Sequence, residues 1–280
     1  MEKVKMTIPD LLEMKRTGKK FKMITVYDYP MAQAVDRSEA QAILVGDSLG
    51  MIIQGHDGTI PVNLEDMLYH VKAVRRGAPN TFVVGDMPFL SYQVSREEAI
   101  RNAGLILKAG ADCVKIEGGM KVVDTVRAVV DAGIPVIAHI GLTPQTAAMM
   151  GGFKVQGKNA EAAQRLLNEA IALDEAGAFA IVLECIPSLL AKLIDEKVKM
   201  ATISCGAGPY TTGQNLNAYD LLGIFDKFVP KFVKQYAQMG RQMTEVFNTW
   251  CAEIDKGVYP EDKHGFSIDE DVLKKLTCCN

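Results

Sequence analysis

ILVGDSLG, residues 43–50, decides the architecture. Ile43, Leu44 and Val45 follow one another with no polar residue between them, the pattern of a strand buried on both faces. Asp47 sits where that strand ends, and Ser48-Leu49-Gly50 does not prolong it. A buried strand that delivers an acid to its carboxyl end is the repeating unit of an α/β barrel.

The unit recurs outward from there. Residues 22–27 read as a first strand ending at Asp28, and 29–39 as a helix that Asp28 caps. A long loop over 50–63 leads to a helix capped by Asn63 and stopped by Gly77-Ala78-Pro79. Further strands read as 82–85, ending at Asp86; 113–116, carrying Lys115 and ending at Glu117; and 135–140, carrying His139. Residues 179–183, ending at Glu184, and 200–204 continue the series, and an apolar run over 221–224 reads as the eighth strand. Helices fill the spaces between, and 231–256 is helical again. Thr7-Ile8-Pro9-Asp10 opens a short helix ahead of the first strand, a lid over the bottom of the barrel. Eight buried strands alternating with helices give an α/β fold, a (β/α)8 TIM barrel closed by right-handed crossovers. It carries an N-terminal capping helix and extra C-terminal helices. No composition shift marks a second domain, so 1–280 is read as one, with 265–280 as a partly mobile tail.

The 280 residues, 48% hydrophobic and 23% charged, suit one large domain with a full core. A formal net charge of −3 and no long Lys/Arg cluster argue against nucleic acid as a partner. No stretch approaches ~20 uninterrupted apolar residues, so no membrane span is expected. MEKVKMTIPD has charges with no apolar run behind them and is not read as a signal peptide. A soluble cytoplasmic protein is the expectation. Cys113, Cys185, Cys205 and Cys251 lie singly in apolar surroundings, Cys278 and Cys279 are adjacent, and no C-x-x-C spacing suggests zinc.

In such barrels the chemistry sits at the carboxyl ends of the strands. Asp47, Asp86 and Glu117, on consecutive strands, would share one part of the rim and repel one another unpaired. A hard divalent cation resolves that, and a few oxygens plus retained waters suit Mg²⁺. A single strand-end Asp serves a helix cap as readily as a metal, and Asp28 is read as such a cap. His139, in an apolar strand, fits a core histidine or a site residue equally. Glu184 is read as standing apart, across the barrel, among Ile181, Val182, Leu183, Ile186 and Pro187, a setting suited to a base. A metal on one side and a base on the other fit enolisation of a small 2-oxo acid, with Lys115 adding positive charge.

The motifs are more specific than their physics. VGDSLGM (45–51), QGHDGTIPV (54–62), HVKAVRRGAPN (70–80), VKIEGG (114–119), HIGLTPQ (139–145), GGFKVQG (151–157) and VLECIP (182–187) occur in order, with GVYP (257–260) near the end. Together they resemble the ketopantoate hydroxymethyltransferases, of the phosphoenolpyruvate mutase and isocitrate lyase barrel superfamily. The resemblance implies transfer of a one-carbon unit from 5,10-methylenetetrahydrofolate to 3-methyl-2-oxobutanoate, giving 2-dehydropantoate for pantothenate biosynthesis. It implies Asp47 and Asp86 as Mg²⁺ ligands, with Glu117 as a third, outer acid. It assigns the oxo acid to Asp47, Ser48, Asp86 and Lys115, with His139 close by, and the catalytic base to Glu184. It also implies a homo-oligomer, usually a decamer.

The match thins after strand six. The family's G-I-G-A-G is here Ser204-Cys205-Gly206-Ala207-Gly208, its T-D-G-Q is Thr211-Thr212-Gly213-Gln214, and Q-x-L-V-x-H-D becomes residues 214–220, with Asn217 and Tyr219 at altered positions. Those strands complete the rim, so the departures bear on the folate side more than on the metal side. Two alternatives stand beside the main reading: a divergent paralogue doing related metal-dependent C–C bond chemistry on an oxo acid, and a non-catalytic barrel that binds a small acid.

Overall fold

The stretch that decides the architecture does form a strand, all four residues of Ala42–Val45 being buried in the computed structural model, which describes residues 3–276. The elements are α1 (Ile8–Thr17), β1 (Phe21–Thr25), α2 (Tyr29–Asp36), β2 (Ala42–Val45), α3 (Leu49–Ile52), α4 (Leu64–Gly77), β3 (Phe82–Asp86) and α5 (Arg96–Lys108). They continue with β4 (Cys113–Glu117), α6 (Val123–Asp131), β5 (Val136–Gly141), α7 (Ala160–Glu175), β6 (Ala180–Glu184) and α8 (Ser188–Lys197). β7 (Ala201–Cys205), β8 (Gly213–Asn217), α9 (Ala218–Leu221), α10 (Met239–Asp255) and α11 (Glu270–Leu273) complete the chain. The strands are parallel and close in chain order, β8 pairing with β1, as a (β/α)8 barrel.

The alternation of each strand separates two cores. Ile43, Val83, Val114, Ile116 and Ile181 face outward to the helices, where they join Val71 and Ile106. Gly85 permits that closeness at β3, because a Cβ there would lie 2.3 Å from Ile106 Cγ2. Residues of the other parity fill the barrel: Phe21, Met23, Leu44, Phe82, Val84, Ile137, Val182 and Ile203, with Leu11 from α1 beneath them. Burying each such side chain contributes roughly 1.5–3 kcal/mol. α1 is therefore the expected bottom lid, and Thr7 and Asp10 cap it reciprocally. Two residues further up each strand the same inner parity turns polar, at Asp86, Lys115, Glu117, His139 and Glu184. Apolar packing closes one end, and the chemistry collects at the other.

Strand eight is not where apolar content puts it. It is Gly213–Asn217, while Leu221 ends α9 and Gly223 turns the chain. A strand is held by its backbone ladder, and this one points amides rather than alkyl groups inward: Thr25 Oγ1 donates to Asn215 Oδ1 at 3.1 Å. α10 likewise begins at Met239 rather than 231. Cys251 lies on exposed α10 rather than in apolar surroundings, and Cys185 and Cys205 are neighbours, the Cys185 N–H donating to the Cys205 carbonyl at 2.9 Å. Of the expected tail, 265–276 is exposed and includes α11; Cys278 and Cys279 lie outside the described residues. Among the described residues no helix is long and apolar enough to cross a membrane.

Candidate active site

Register assembles the polar inner positions. Asp86 lies opposite Lys115 across β3 and β4, and Glu117 opposite His139 across β4 and β5. Lys115 Nζ is 2.9 Å from Asp86 Oδ1 and 3.8 Å from Glu117 Oε2. It is also 3.2 Å from His139 Nδ1, which lies 3.4 Å from Glu117 Oε2. Asp47, just beyond β2, donates its backbone N–H to Asp86 Oδ2 at 3.0 Å. Asp47, Asp86, Lys115, Glu117 and His139 are all buried. Next to Asp47, half-buried Ser48 shares a 2.7 Å hydrogen bond with the Tyr27 hydroxyl.

Gln145 ties this cluster together, and sequence reasoning gave it no role. Its side-chain Nε2 donates to Asp47 Oδ2 at 2.9 Å and to the Met87 carbonyl at 3.0 Å, while its backbone N–H donates to Glu117 Oε1 at 2.9 Å. Tyr92 donates its hydroxyl toward Gln145 Oε1 and the Glu117 carbonyl, 2.8 and 2.9 Å away. The available signal was position: Gln145 closes HIGLTPQ, and the short 3₁₀ turn that Pro144 opens carries it over the barrel mouth.

Three carboxylates share one ammonium here. Burial, then Asp86 and Glu117, lift Asp47 well above the usual carboxylate range. Burial also raises Asp86, although Lys115 opposes it. Burial would raise Glu117 too, but His139, Lys115 and the Gln145 N–H hold it below its ordinary value. Burial disfavours charge on Lys115, and the surrounding carboxylates, Asp86 foremost, outweigh that and raise it. His139 is opposed by burial and by Lys115, yet Glu117 and Glu184 push it up to about 9. The cluster is short of positive charge. Among the described residues no three His, Cys, Asp or Glu side chains form a ready cage for a metal. Asp86 Oδ1 and Glu117 Oε2 are buried acceptors without a hydrogen bond of good geometry.

Glu184, on β6, lies across the closed ring from the β2 end that carries Asp47, and it has a neighbour there. β6 adjoins β5, and Glu184 Oε2 lies 3.3 Å from His139 Nε2, at an angle that makes no hydrogen bond. The Glu184 side chain keeps 19% of its surface accessible, so it is reachable from the mouth. Gly141 fixes the backbone here: at φ +98° its position suits glycine, and a Cβ would come 2.1 Å from the Glu184 carbonyl oxygen. That oxygen accepts from the Leu142 N–H at 2.9 Å.

The altered residues of strands seven and eight separate into two groups. Thr212 precedes β8 at the bottom of the barrel, where its hydroxyl donates to Asp195 and its N–H to Thr202, so it does not reach the rim. Cys205 and Asn217 end β7 and β8 at the mouth, on the same inner parity as Ile203 and Asn215. Tyr219 donates its hydroxyl to Asp28, which also caps α2 as expected.

This charged mouth lies in a chain whose residues 5–262 match the sequence model of ketopantoate hydroxymethyltransferase. The chain belongs to that family. A Heliobacterium modesticaldum relative named 3-methyl-2-oxobutanoate hydroxymethyltransferase is 57% identical over 269 residues, 96% of this chain and 98% of the relative. One of the same name from Clostridium botulinum strain Alaska E43 is 50% identical over 274 residues, 98% of this chain and all of the relative. Solved structures share the fold at low identity. A phosphonopyruvate hydrolase superposes with TM-score 0.62 at 12% identity, covering 96% of this chain and 94% of the other. A 2,3-dimethylmalate lyase, described as a PEP mutase/isocitrate lyase superfamily member, superposes with TM-score 0.58 at 16% identity, covering 95% and 93%. As a hydroxymethyltransferase family member the chain is an enzyme, and three of its motifs place Lys115, Glu117, His139 and Glu184 on the strands that end at the mouth.

Proposed function

We propose that this chain transfers a hydroxymethyl group from 5,10-methylenetetrahydrofolate to 3-methyl-2-oxobutanoate, giving 2-dehydropantoate. The observation that carries the reading is a carboxylate reachable from solvent, Glu184, facing a buried cluster of three acids and a lysine in a member of this family. Residues Asp47 and Asp86 would hold Mg²⁺, with Glu117 acting from further out. The donor set fits: the acids outnumber the lysine, the buried Asp86 Oδ1 and Glu117 Oε2 make no hydrogen bond of good geometry, and Mg²⁺ is bound through one or two carboxylates and retained waters rather than a full protein cage. When bound, the ion supplies a Lewis acid for the ketone and carboxylate oxygens of the oxo acid.

The chain's own residues do the rest. Ser48 and Lys115 orient the oxo acid, and Lys115 lowers the energy of the negative charge that develops on its oxygen. Glu184 removes the proton from C3, and His139, 3.3 Å away, helps to position its carboxylate. Water adds to the methylene carbon of the folate and both of its C–N bonds break, so that tetrahydrofolate leaves with its two nitrogens protonated and formaldehyde remains. C3 of the enolate then bonds to the formaldehyde carbon, whose oxygen takes up the proton that Glu184 removed and becomes the new hydroxyl. The expected result is 2-dehydropantoate from the two substrates with Mg²⁺, read by mass spectrometry. Turnover of the oxo acid with a different aldehyde instead would favour the related C–C bond enzyme. Binding with neither turnover nor C3 hydrogen exchange would favour the acid-binding barrel.

The same reading takes the chain to be a homo-oligomer, a decamer by family resemblance, acting in the cytoplasm. α10 supports assembly, since it buries none of its residues and repeats Met239, Met243, Val246, Phe247, Trp250 and Ile254 at helical spacing. Sedimentation at micromolar concentration is expected to show a species several times 30.5 kDa; a 30.5 kDa species alone would rule assembly out.

A further inference from the structure

Ser48 occupies the N-cap of α3, yet its hydroxyl makes no capping bond. Serine at that position ordinarily accepts from the helix N–H groups. Here Ser48 Oγ pairs instead with the hydroxyl of Tyr27, a residue with no exposed surface that follows β1. Tyr27 Oη in turn accepts from Asn217 Nδ2 at the carboxyl end of β8. The amide of Asn217 has a defined orientation, because its Oδ1 accepts from the Tyr219 N–H at 3.0 Å. The amide nitrogen must therefore face Tyr27, and an amide nitrogen only donates.

That single constraint gives the chain a direction. With Asn217 donating to Tyr27 Oη, the Tyr27 proton goes to Ser48 Oγ. Ser48 Oγ is then an acceptor on the protein side, and its own hydrogen has no acceptor among the described residues. It is left to serve a group in the mouth, beside Asp47. We propose that Asn217, acting through Tyr27, is a positioning residue that sets the Ser48 hydroxyl as a hydrogen-bond donor to an oxygen of the anionic 2-oxo acid. The inference rests on the reading of this mouth as an oxo-acid site and deepens it. It also gives a role to a residue at which the chain departs from its family's pattern, since an apolar side chain at 217 would give Tyr27 no direction.

Asn217→Asp tests it, because a carboxylate accepts only. Tyr27 would turn its proton to position 217, Ser48 would donate to Tyr27, and the substrate oxygen would meet a lone pair in place of a hydrogen. Losing a hydrogen bond to a charged group weakens binding by about tenfold to a hundredfold. Calorimetry with Mg²⁺ and 3-methyl-2-oxobutanoate is expected to show that loss. KM should rise with it, while C3 hydrogen exchange at saturating oxo acid stays near the wild-type rate. The new charge could also repel the anion directly, so the variant is repeated in the Tyr27→Phe and Ser48→Ala backgrounds. A relayed effect vanishes in both, and a direct one persists and would overturn the proposal. Should the aspartate variant fail to fold, Asn217→Leu brings no charge, and its smaller loss of affinity must likewise disappear with Ser48→Ala. Equal binding by the wild type and Asn217→Asp would overturn this inference alone. A wild type that does not bind the oxo acid would overturn the proposed function, and this inference with it.

Discussion

Glu184→Gln is expected to slow exchange of the C3 hydrogen of 3-methyl-2-oxobutanoate with solvent deuterium by on the order of 10²–10⁴, the usual contribution of a positioned general base. The substitution keeps the shape of the side chain and removes its charge, and with it the capacity to take a proton and part of what raises the pKa of His139. Little else should move. The backbone at 184 is held by the Leu142 N–H and by the lack of room for a Cβ at Gly141, neither of which depends on the side chain. The exchange step needs the oxo acid, Mg²⁺ and the base but not the folate, so it isolates this half of the reaction from the altered ends of β7 and β8. NMR in deuterated buffer reads it directly. Undiminished exchange in Glu184→Gln would show that another group is the base. His139, 3.3 Å away, is the first to test by His139→Gln.

The sequence was most legible where one physical rule acts alone. β2 to β7 are buried runs that hydrophobic patterning finds, and the acids that end β3, β4 and β6 follow because an inner position at the carboxyl end of a barrel strand has a polar mouth to face. Capping was similarly direct at Thr7, Asp28 and Asn63, where a short polar side chain meets the first free N–H groups. β8 escaped because its inner side chains, Asn215 and Asn217, are amides. Hydropathy then preferred Leu221 and Ile224, which belong to a short helix and the turn after it. Gln145 escaped for a different reason. Its contacts to Asp47, Met87 and Glu117 join segments 28 to 98 residues apart, and no local pattern encodes them. Glu184 does stand across the ring from Asp47, since β6 lies opposite β2 in the closed barrel; what patterning did not show is that the register of β5 and β6 sets His139 beside it. The polar strand that patterning missed is the one whose Asn217 reaches, through Tyr27, to Ser48 at the mouth.

Asp86→Ala is expected to abolish Mg²⁺-dependent binding of the oxo acid while leaving the barrel folded. Asp86 carries two duties in the structure. Its Oδ1 lies 2.9 Å from Lys115 Nζ and is otherwise unpartnered, and its Oδ2 accepts the Asp47 backbone N–H at 3.0 Å. Removing one member of a lone buried ion pair costs about 3–5 kcal/mol. Here the cost is softened, because Lys115 still has Glu117 at 3.8 Å, and because Asp47 is relieved of a neighbour that raises its pKa. The barrel's apolar interior, from Phe21 to Ile203, is untouched by the change. Asp86→Asn separates the duties further. It retains the volume and an acceptor for the Asp47 N–H but loses the charge a dication needs, so it too should lose metal-dependent binding, with a smaller loss of stability. Calorimetry with and without Mg²⁺ measures the first effect. Thermal unfolding measures the second: at a ligand concentration 100 times Kd, binding should add about 2.7 kcal/mol to the wild type, and the same addition should add nothing to either variant. Equal Mg²⁺-dependent binding by the wild type and both variants would refute Asp86 as a ligand. The charge that Lys115 leaves uncompensated would then have to be met without the metal.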